Sequence, residues 1–120
     1  MKYMLMIYGN EDVWTSFEPE AMQKLVNETD ALLRDLAESG ELVGAYGVSD
    51  QVMAKQVHVT DGVPAVTDGP YIEAKEYLGS FTIVDCESLD RALEIAAANP
   101  ASAFTQVEVR PLMHESASNP

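Results

Sequence analysis

The sequence predicts an α+β domain, a split βαβ, ferredoxin-like sandwich with a hairpin insertion. Three observations lead there. A strand–helix–strand order occurs twice along the 120 residues. Each of the two long helical stretches repeats its apolar residues at three- and four-residue steps, which gives each a single apolar face. Between the two units lies an alternating stretch broken by Asp61-Gly62, a two-residue hairpin turn. Two βαβ units of this kind build an antiparallel sheet with both helices on one face. The length suits one domain with a small core, placed at residues 1–114, with a polar tail at 115–120.

The elements follow in order. Residues 2–8 are β-prone and mostly apolar, as a central strand buried on both faces would be. Residues 9–18 read as a loop in which Trp14 and Phe17 plug the core. Pro19 suits the first helical position, and Glu18 and Glu20 favour the positive end of the helix dipole. Met22, Leu25, Val26, Thr29, Leu32, Leu33 and Leu36 form the stripe, and Gly40 ends the helix. Residues 42–46 make a short strand interrupted by Gly44 and followed by Gly47, glycines that mark a bulge or a close approach. Residues 51–60 alternate, with Val57 and Val59 on one face and Gln56, His58 and Thr60 on the other, and 63–67 return. Residues 77–86 form the third long strand. Ser88 caps the second helix, whose Leu89, Ala92, Leu93 and Ala96 step by three and four until Asn99-Pro100 stops it. Residues 105–112 are the last strand, Val107 and Val109 facing one way, Gln106, Glu108 and Arg110 the other.

The two helices can cover only one face, yet the strands at 4–8 and 81–84 are apolar on both sides. A second copy covering the open face is the economical solution, so a homodimer is expected. The charge of −13, from 20 acidic against 7 basic residues, argues against nucleic acid and against an anionic membrane surface; it serves solubility. The single cysteine, Cys86, excludes an internal disulfide and a Cys-based zinc site. Its neighbours Asp85 and Glu87 disfavour a thiolate, which fits an inert buried thiol. The apolar start is too short for a secretory signal, and no apolar run is long enough to span a bilayer, so a cytoplasmic protein is expected.

Residues 68–81 concentrate the polar groups suited to chemistry: Asp68-Gly69-Pro70, a rigid turn, then Tyr71, Glu73, Lys75, Glu76 and Tyr77 on a mixed-charge loop. Asp68 and Glu76 are the candidate catalytic carboxylates, either able to act as a general base if burial raises its pKa. Lys75 suits an anionic substrate group, and Tyr71 or Tyr77 can donate to a carbonyl. Arg110 can clamp a carboxylate bidentately or bridge to Asp68. The bland alternatives stand beside these. An aspartate opening an Asp-Gly-Pro turn commonly bonds its own backbone, and alternating surface charges commonly form solvated pairs. His58 reads as solvated. No metal-ligand spacing, phosphate loop or nucleophile elbow occurs, so no metal and no cofactor is expected.

Several segments together carry a family likeness: 2–9 (Lys-Tyr-Met-Leu-Met-Ile-Tyr-Gly), Asp68-Gly69-Pro70-Tyr71, Glu73-Ala74-Lys75-Glu76, Leu78-Gly79-Ser80-Phe81, the helix at 89–100, and Val107-Glu108-Val109-Arg110-Pro111. On these the chain resembles the YCII-related proteins, and within them the DGPF-domain group, over essentially its whole length. The resemblance implies a dimer of the dimeric α/β-barrel type, with a cleft between sheet and helix near the subunit interface. It implies no settled activity. Either a cofactor-independent small-molecule enzyme or a non-catalytic ligand-binding or regulatory accessory module fits, the latter because DGPF proteins are often encoded beside extracytoplasmic-function sigma factors. Other branches of the family carry a His–Asp pair suspected of catalysis. The only histidines here are His58 and His114, so that pair is not carried over. Tyr71 stands where the group's name has Phe, which keeps the ring and adds a hydroxyl.

Overall fold

The computed structural model describes residues 1–70 and 75–116. Its centre is a four-stranded antiparallel sheet of β1 (Lys2–Gly9), β2 (Leu42–Gly47), β5 (Tyr77–Asp85) and β6 (Val107–Pro111), in the order β2-β5-β1-β6. This is the order of a split βαβ sandwich. Period-two alternation sorts β1 between the faces. Tyr3 and Leu5 turn toward the helices α2 (Pro19–Ser39) and α3 (Leu89–Ala98), where they meet Val84, Cys86, Leu36, Ala92, Ile95 and Ala96 in the core. Cys86 is a buried free thiol. Pro19 opens α2, and Gly40 closes it in a left-handed conformation at φ 83°. Ser88 caps α3 through the Arg91 amide, which donates to its hydroxyl at 3.1 Å.

Three short elements depart from the expectation. The stretch read as a loop contains a helix, α1 (Glu11–Thr15). Asn10 accepts from the Val13 amide at 2.8 Å, and Glu11 and Asp12 sit on the positive end of the turn. The strand expected from residue 51 begins at Lys55 instead. The Asp50 carboxylate accepts from the Val52 amide at 2.9 Å and holds a 3₁₀ turn at Gln51–Met53. A second 3₁₀ turn, Pro100–Ala103, follows α3 and is capped by Asn99, whose side-chain oxygen accepts from the Ala101 amide at 2.9 Å. In each case a side-chain cap satisfied backbone amides within one turn.

The hairpin β3 (Lys55–Thr60) and β4 (Val63–Asp68) forms a separate two-stranded ribbon. Asp61 and Gly62 both take positive φ, 51° and 78°, as the Asp-Gly turn requires. The register pairs Val57 with Val66 and Val59 with Pro64 on one face, and Gln56 with Thr67 and His58 with Ala65 on the other.

The sheet's second face carries Met4, Met6, Phe81, Ile83 and Tyr46, and among the described residues no helix lies on it. Tyr46 and Phe81 rest ring to ring at 5.2 Å. Met6 is buried on this face, with the Tyr8 hydroxyl donating to its sulfur at 3.7 Å. No helix among the described residues is long and apolar enough to cross a membrane.

One ion pair ties the two βαβ units together. Arg91 of α3 donates from Nε and Nη2 to the two carboxylate oxygens of Glu41, each at 2.8 Å, just ahead of β2. The Arg91 hydrogen bonds outweigh the opposing burial and, with a bond from Ser39, hold the Glu41 carboxyl at about 2 rather than 4.5. A depressed folded-state pKa contributes stability above the unfolded value that is lost as the proton returns. The Glu41 share of stability is therefore complete above pH 4.5 and fades as pH falls toward 2. Glu41→Gln is expected to melt lower at neutral pH and to lose less on acidification through that window. Thermal melts of both proteins across pH 2–7 check this, and parallel curves would remove the pair from the account.

Candidate functional site

A chain of adjoining cavities opens where β1 ends, β5 begins and α2 stands off the sheet. The N-terminal half of the α2 stripe, Met22, Leu25 and Thr29, is only half-buried, because the sheet does not close against it there. A bulge shapes the floor. β1 and β5 pair Ile7 with Ser80 but Tyr8 with Leu78, so Gly79 is the extra residue, and Tyr77 comes opposite Gly9. The Gly79 carbonyl accepts from the Val48 amide at 3.0 Å, which brings the end of β2 alongside. Trp14 of α1 lies over Gly9. A β-carbon at Gly9 would sit 2.4–2.5 Å from indole ring atoms, so the bare backbone is what admits the ring.

The mouth, about 350 Å³, is walled by Asn10, Glu11, Asp12, Asp50, Lys75 and Tyr77. Behind it a space of about 290 Å³ shares Asp50 and Tyr77 and adds Trp14, Val48 and Ser80. Trp14 and Ser80 also wall a third space of about 210 Å³ with Ile7, Thr29 and Asn99. Ser80, Thr29 and Asn99 continue into a fourth of about 250 Å³, under Leu33, Ala45 and Thr82. The cleft is thus acidic at its entrance and lined deeper by hydroxyls, an amide and the Asp30 carboxylate on largely apolar walls, the usual make-up of a small-molecule site.

Tyr77 titrates above the ordinary range of a phenol. Burial first, then the negative charges of Asp50 and Glu11, raise its pKa, which keeps the phenol a hydrogen-bond donor. Asn99 spends its oxygen on the Ala101 amide, which leaves its NH₂ as a donor. Thr29 gives its hydroxyl proton to the Leu25 carbonyl at 2.7 Å, which leaves its oxygen as an acceptor. No group of three or more His, Cys, Asp or Glu placed to hold a metal ion occurs among the described residues.

A larger groove of about 740 Å³ runs between α2 and the turn after α3, walled by Val13, Phe17, Ala21, Leu25, Pro100 and Phe104. Phe17 meets Phe104 edge-on at 4.9 Å. Its charged groups, among them the Lys24–Glu28 pair at 3.7 Å, lie exposed at the rim. Without polar groups converging inside, it is the weaker candidate.

The expected site residues divide. Lys75 and Tyr77 line the cleft. Asp68 ends β4 in a solvent-exposed ion pair with Lys55 and does not line it. Glu76 is exposed beside the mouth without walling it. Arg110 lies in β6 opposite Met4, exposed, with no bridge to Asp68. His58 is exposed on the ribbon. Tyr71 and Glu73 fall at 71–74, outside the described residues. The sequence reading missed Glu11, Asp12, Asp50, Ser80 and Asn99 as site residues. Asn10-Glu11-Asp12 carried a usable signal, a cap followed by two acids, whereas Ser80 and Asn99 reach the cleft only through tertiary packing.

The chain is 33% identical over 116 residues to an uncharacterized protein of Rhizobium meliloti, covering 93% of this chain and 92% of that one. It is similar, at 16% identity and a TM-score of 0.49 over 96% of both chains, to the 5-chloro-2-hydroxyhydroquinone dehydrochlorinase of Burkholderia phenoliruptrix in complex with 2,5-dihydroxybenzoquinone. The model of the YCII-related domain matches residues 1–116, and the chain belongs to the YCII-related family.

Proposed function

We propose that this protein binds a small carbonyl- or hydroxyl-bearing organic molecule in the cleft and performs cofactor-independent proton transfer on it. The observation that supports this is that Tyr77 and Asp50 wall two adjoining, partly enclosed spaces, one also lined by Lys75 and the other by Ser80. In this reading the Tyr77 phenol donates to the substrate oxygen as charge develops there. Asp50 accepts the proton from the adjacent carbon. Lys75 offsets the acidic mouth, so that a substrate of neutral or weakly negative charge can enter. Asp68 and Glu76 enter the same proposal as rival bases, to be separated by mutation.

The test uses a panel of small lactones, ketones and phenols, followed by amide and indole NMR shifts. Binding is expected to move Ser80, Asn99 and the Trp14 indole. Tyr77→Phe, which removes one hydrogen bond, is expected to weaken binding about tenfold. Proton transfer is read as deuterium exchange at the acidic carbon of a bound ketone in D₂O, and Asp50→Asn is expected to abolish it. Asp68→Asn and Glu76→Gln are expected to leave it unchanged, and loss in either would transfer the base role to that residue. Shifts that avoid the cleft would overturn the proposal.

A second reading is favoured by the exposure of Asp68 and Glu76: a ligand-binding or regulatory accessory module without turnover, of the kind linked to sigma-factor signalling. It predicts the same shifts and no exchange. In both readings we infer a homodimer of the dimeric α/β-barrel type, because the sheet face bearing Met4, Phe81, Ile83 and Tyr46 is apolar and open.

A further inference from the structure

We infer that the β3–β4 ribbon is a docking arm that lies on the open sheet face of a second copy, against its Tyr46 and Phe81. The inference rests on the homodimer reading and adds the element that makes the contact. Four observations carry it. The arm has no support of its own: every residue from Val57 to Asp68 is exposed, although an isolated two-stranded hairpin is marginally stable in water. The chain is extended accordingly. Its radius of gyration is 16.7 Å, against about 14 Å for a compact chain of this length.

One arm face is built for burial. Val57, Val59 and Val66 are 66%, 57% and 64% exposed, and all share that face with Pro64, while Gln56, His58, Thr60 and Thr67 take the other. Val63, opposite Thr60, and Ala65, opposite His58, lie on that other face, so three of the ribbon's four valines share the apolar one. The receiving surface is on the same chain. Tyr46, 53% exposed, stands with Phe81 at the β2 edge of the uncovered face. Both surfaces are nearly neutral in a chain of charge −13. The arm sets Lys55 against Asp61 and Asp68, and the sheet face balances Lys2 and Arg110 against Asp85 and Glu108. Two such patches on one chain are self-complementary, which a two-fold axis satisfies reciprocally.

The area suffices. Six-residue strands about 3.3 Å per residue and 4.8 Å apart give an arm face of roughly 200 Å² in flat projection, and the four-stranded face roughly 400 Å². Together they approach the ~800 Å² that each partner of a standard stable interface buries, since contoured surface exceeds its projection.

The experiment compares sedimentation of the wild type with Val57→Lys/Val66→Glu. The new opposite charges face each other across the ribbon, so the hairpin itself is kept. The control, Gln56→Lys/Thr67→Glu, makes the same change on the other face. The arm variant is expected to weaken dimerisation at least about a hundredfold, the control to leave it intact. In parallel, a photo-crosslinker at position 57 in a mixture of ¹⁵N-labelled and unlabelled protein is expected to give heavy–light crosslinks to β2 and β5. A wild-type dimer that persists in the arm variant, with no crosslinks from position 57, overturns the arm and leaves the homodimer standing. Crosslinks within one chain overturn the arm as well. A monomeric wild type at high concentration overturns both.

Discussion

Ile95→Ala is expected to cost about 2–5 kcal/mol of unfolding free energy. Ile95 is 2% exposed and packs in the core with Val84, Leu5, Tyr3 and Leu36. Its inward neighbours on α3 are Ala92 and Ala96, so nothing on the helix can swing into the space a truncation leaves. The cavity term therefore adds nearly in full to the lost transfer energy. A domain of this size has about 5–15 kcal/mol in total, so one substitution removes a large share. Urea unfolding followed by circular dichroism measures it, with an unchanged slope showing that the unfolded state is the same. A loss below about 1 kcal/mol would mean that α3 does not seat on the sheet as described.

Gly9→Ala is expected to expel Trp14 from the cleft wall. The added carbon would stand 2.4 Å from the ring, inside any tolerable contact. Because Gly9 is held in the ladder opposite Tyr77 of β5, the indole must move rather than the backbone. Overpacking of this kind costs about 1–3 kcal/mol. Trp14 is the only tryptophan, so its displacement appears directly as a red-shifted emission. Cleft binding should fall with it, since Trp14 walls two of the connected spaces. Gly47→Ala, where a β-carbon meets nothing within 4 Å, is the matched control and is expected to leave emission unchanged. An unshifted spectrum in Gly9→Ala would place the ring elsewhere.

The fold was readable because its signals are local and repeated. Pro19, Gly40, Ser88 and Asn99-Pro100 mark the helix ends within the chain itself, and Asp61-Gly62 can hardly be anything but the tip of a hairpin. The three short capped turns escaped for a related reason: Asn10, Asp50 and Asn99 each organise three to five residues, too few for any periodicity to register.

The site was half readable. Lys75 and Tyr77 could be picked out from a charged, aromatic loop. Asp68 looked equally suitable but belongs to the ribbon, where Lys55 lies across the ladder from it. Only the register decides that, and the register follows from the Asp61-Gly62 turn at the other end of the ribbon. Asp50 becomes a neighbour of Tyr77 when β2 closes on β5, a contact between distant segments that no short motif announces.

The extra residue in β5 has a consequence for how such a cleft can change. Side chains on a strand alternate, so one more residue between Leu78 and Gly79, with the bulge kept, would pair Leu78 with Gly9 in place of Tyr77. The phenol would turn to the opposite side of the sheet and an isobutyl group would take its place above the floor. The cleft's polarity is thus written in the length of one strand as much as in its residues. A single-codon insertion there would exchange a hydrogen-bonding pocket for a greasy one without altering any other amino acid, a route by which near relatives of one architecture can come to hold chemically unlike molecules.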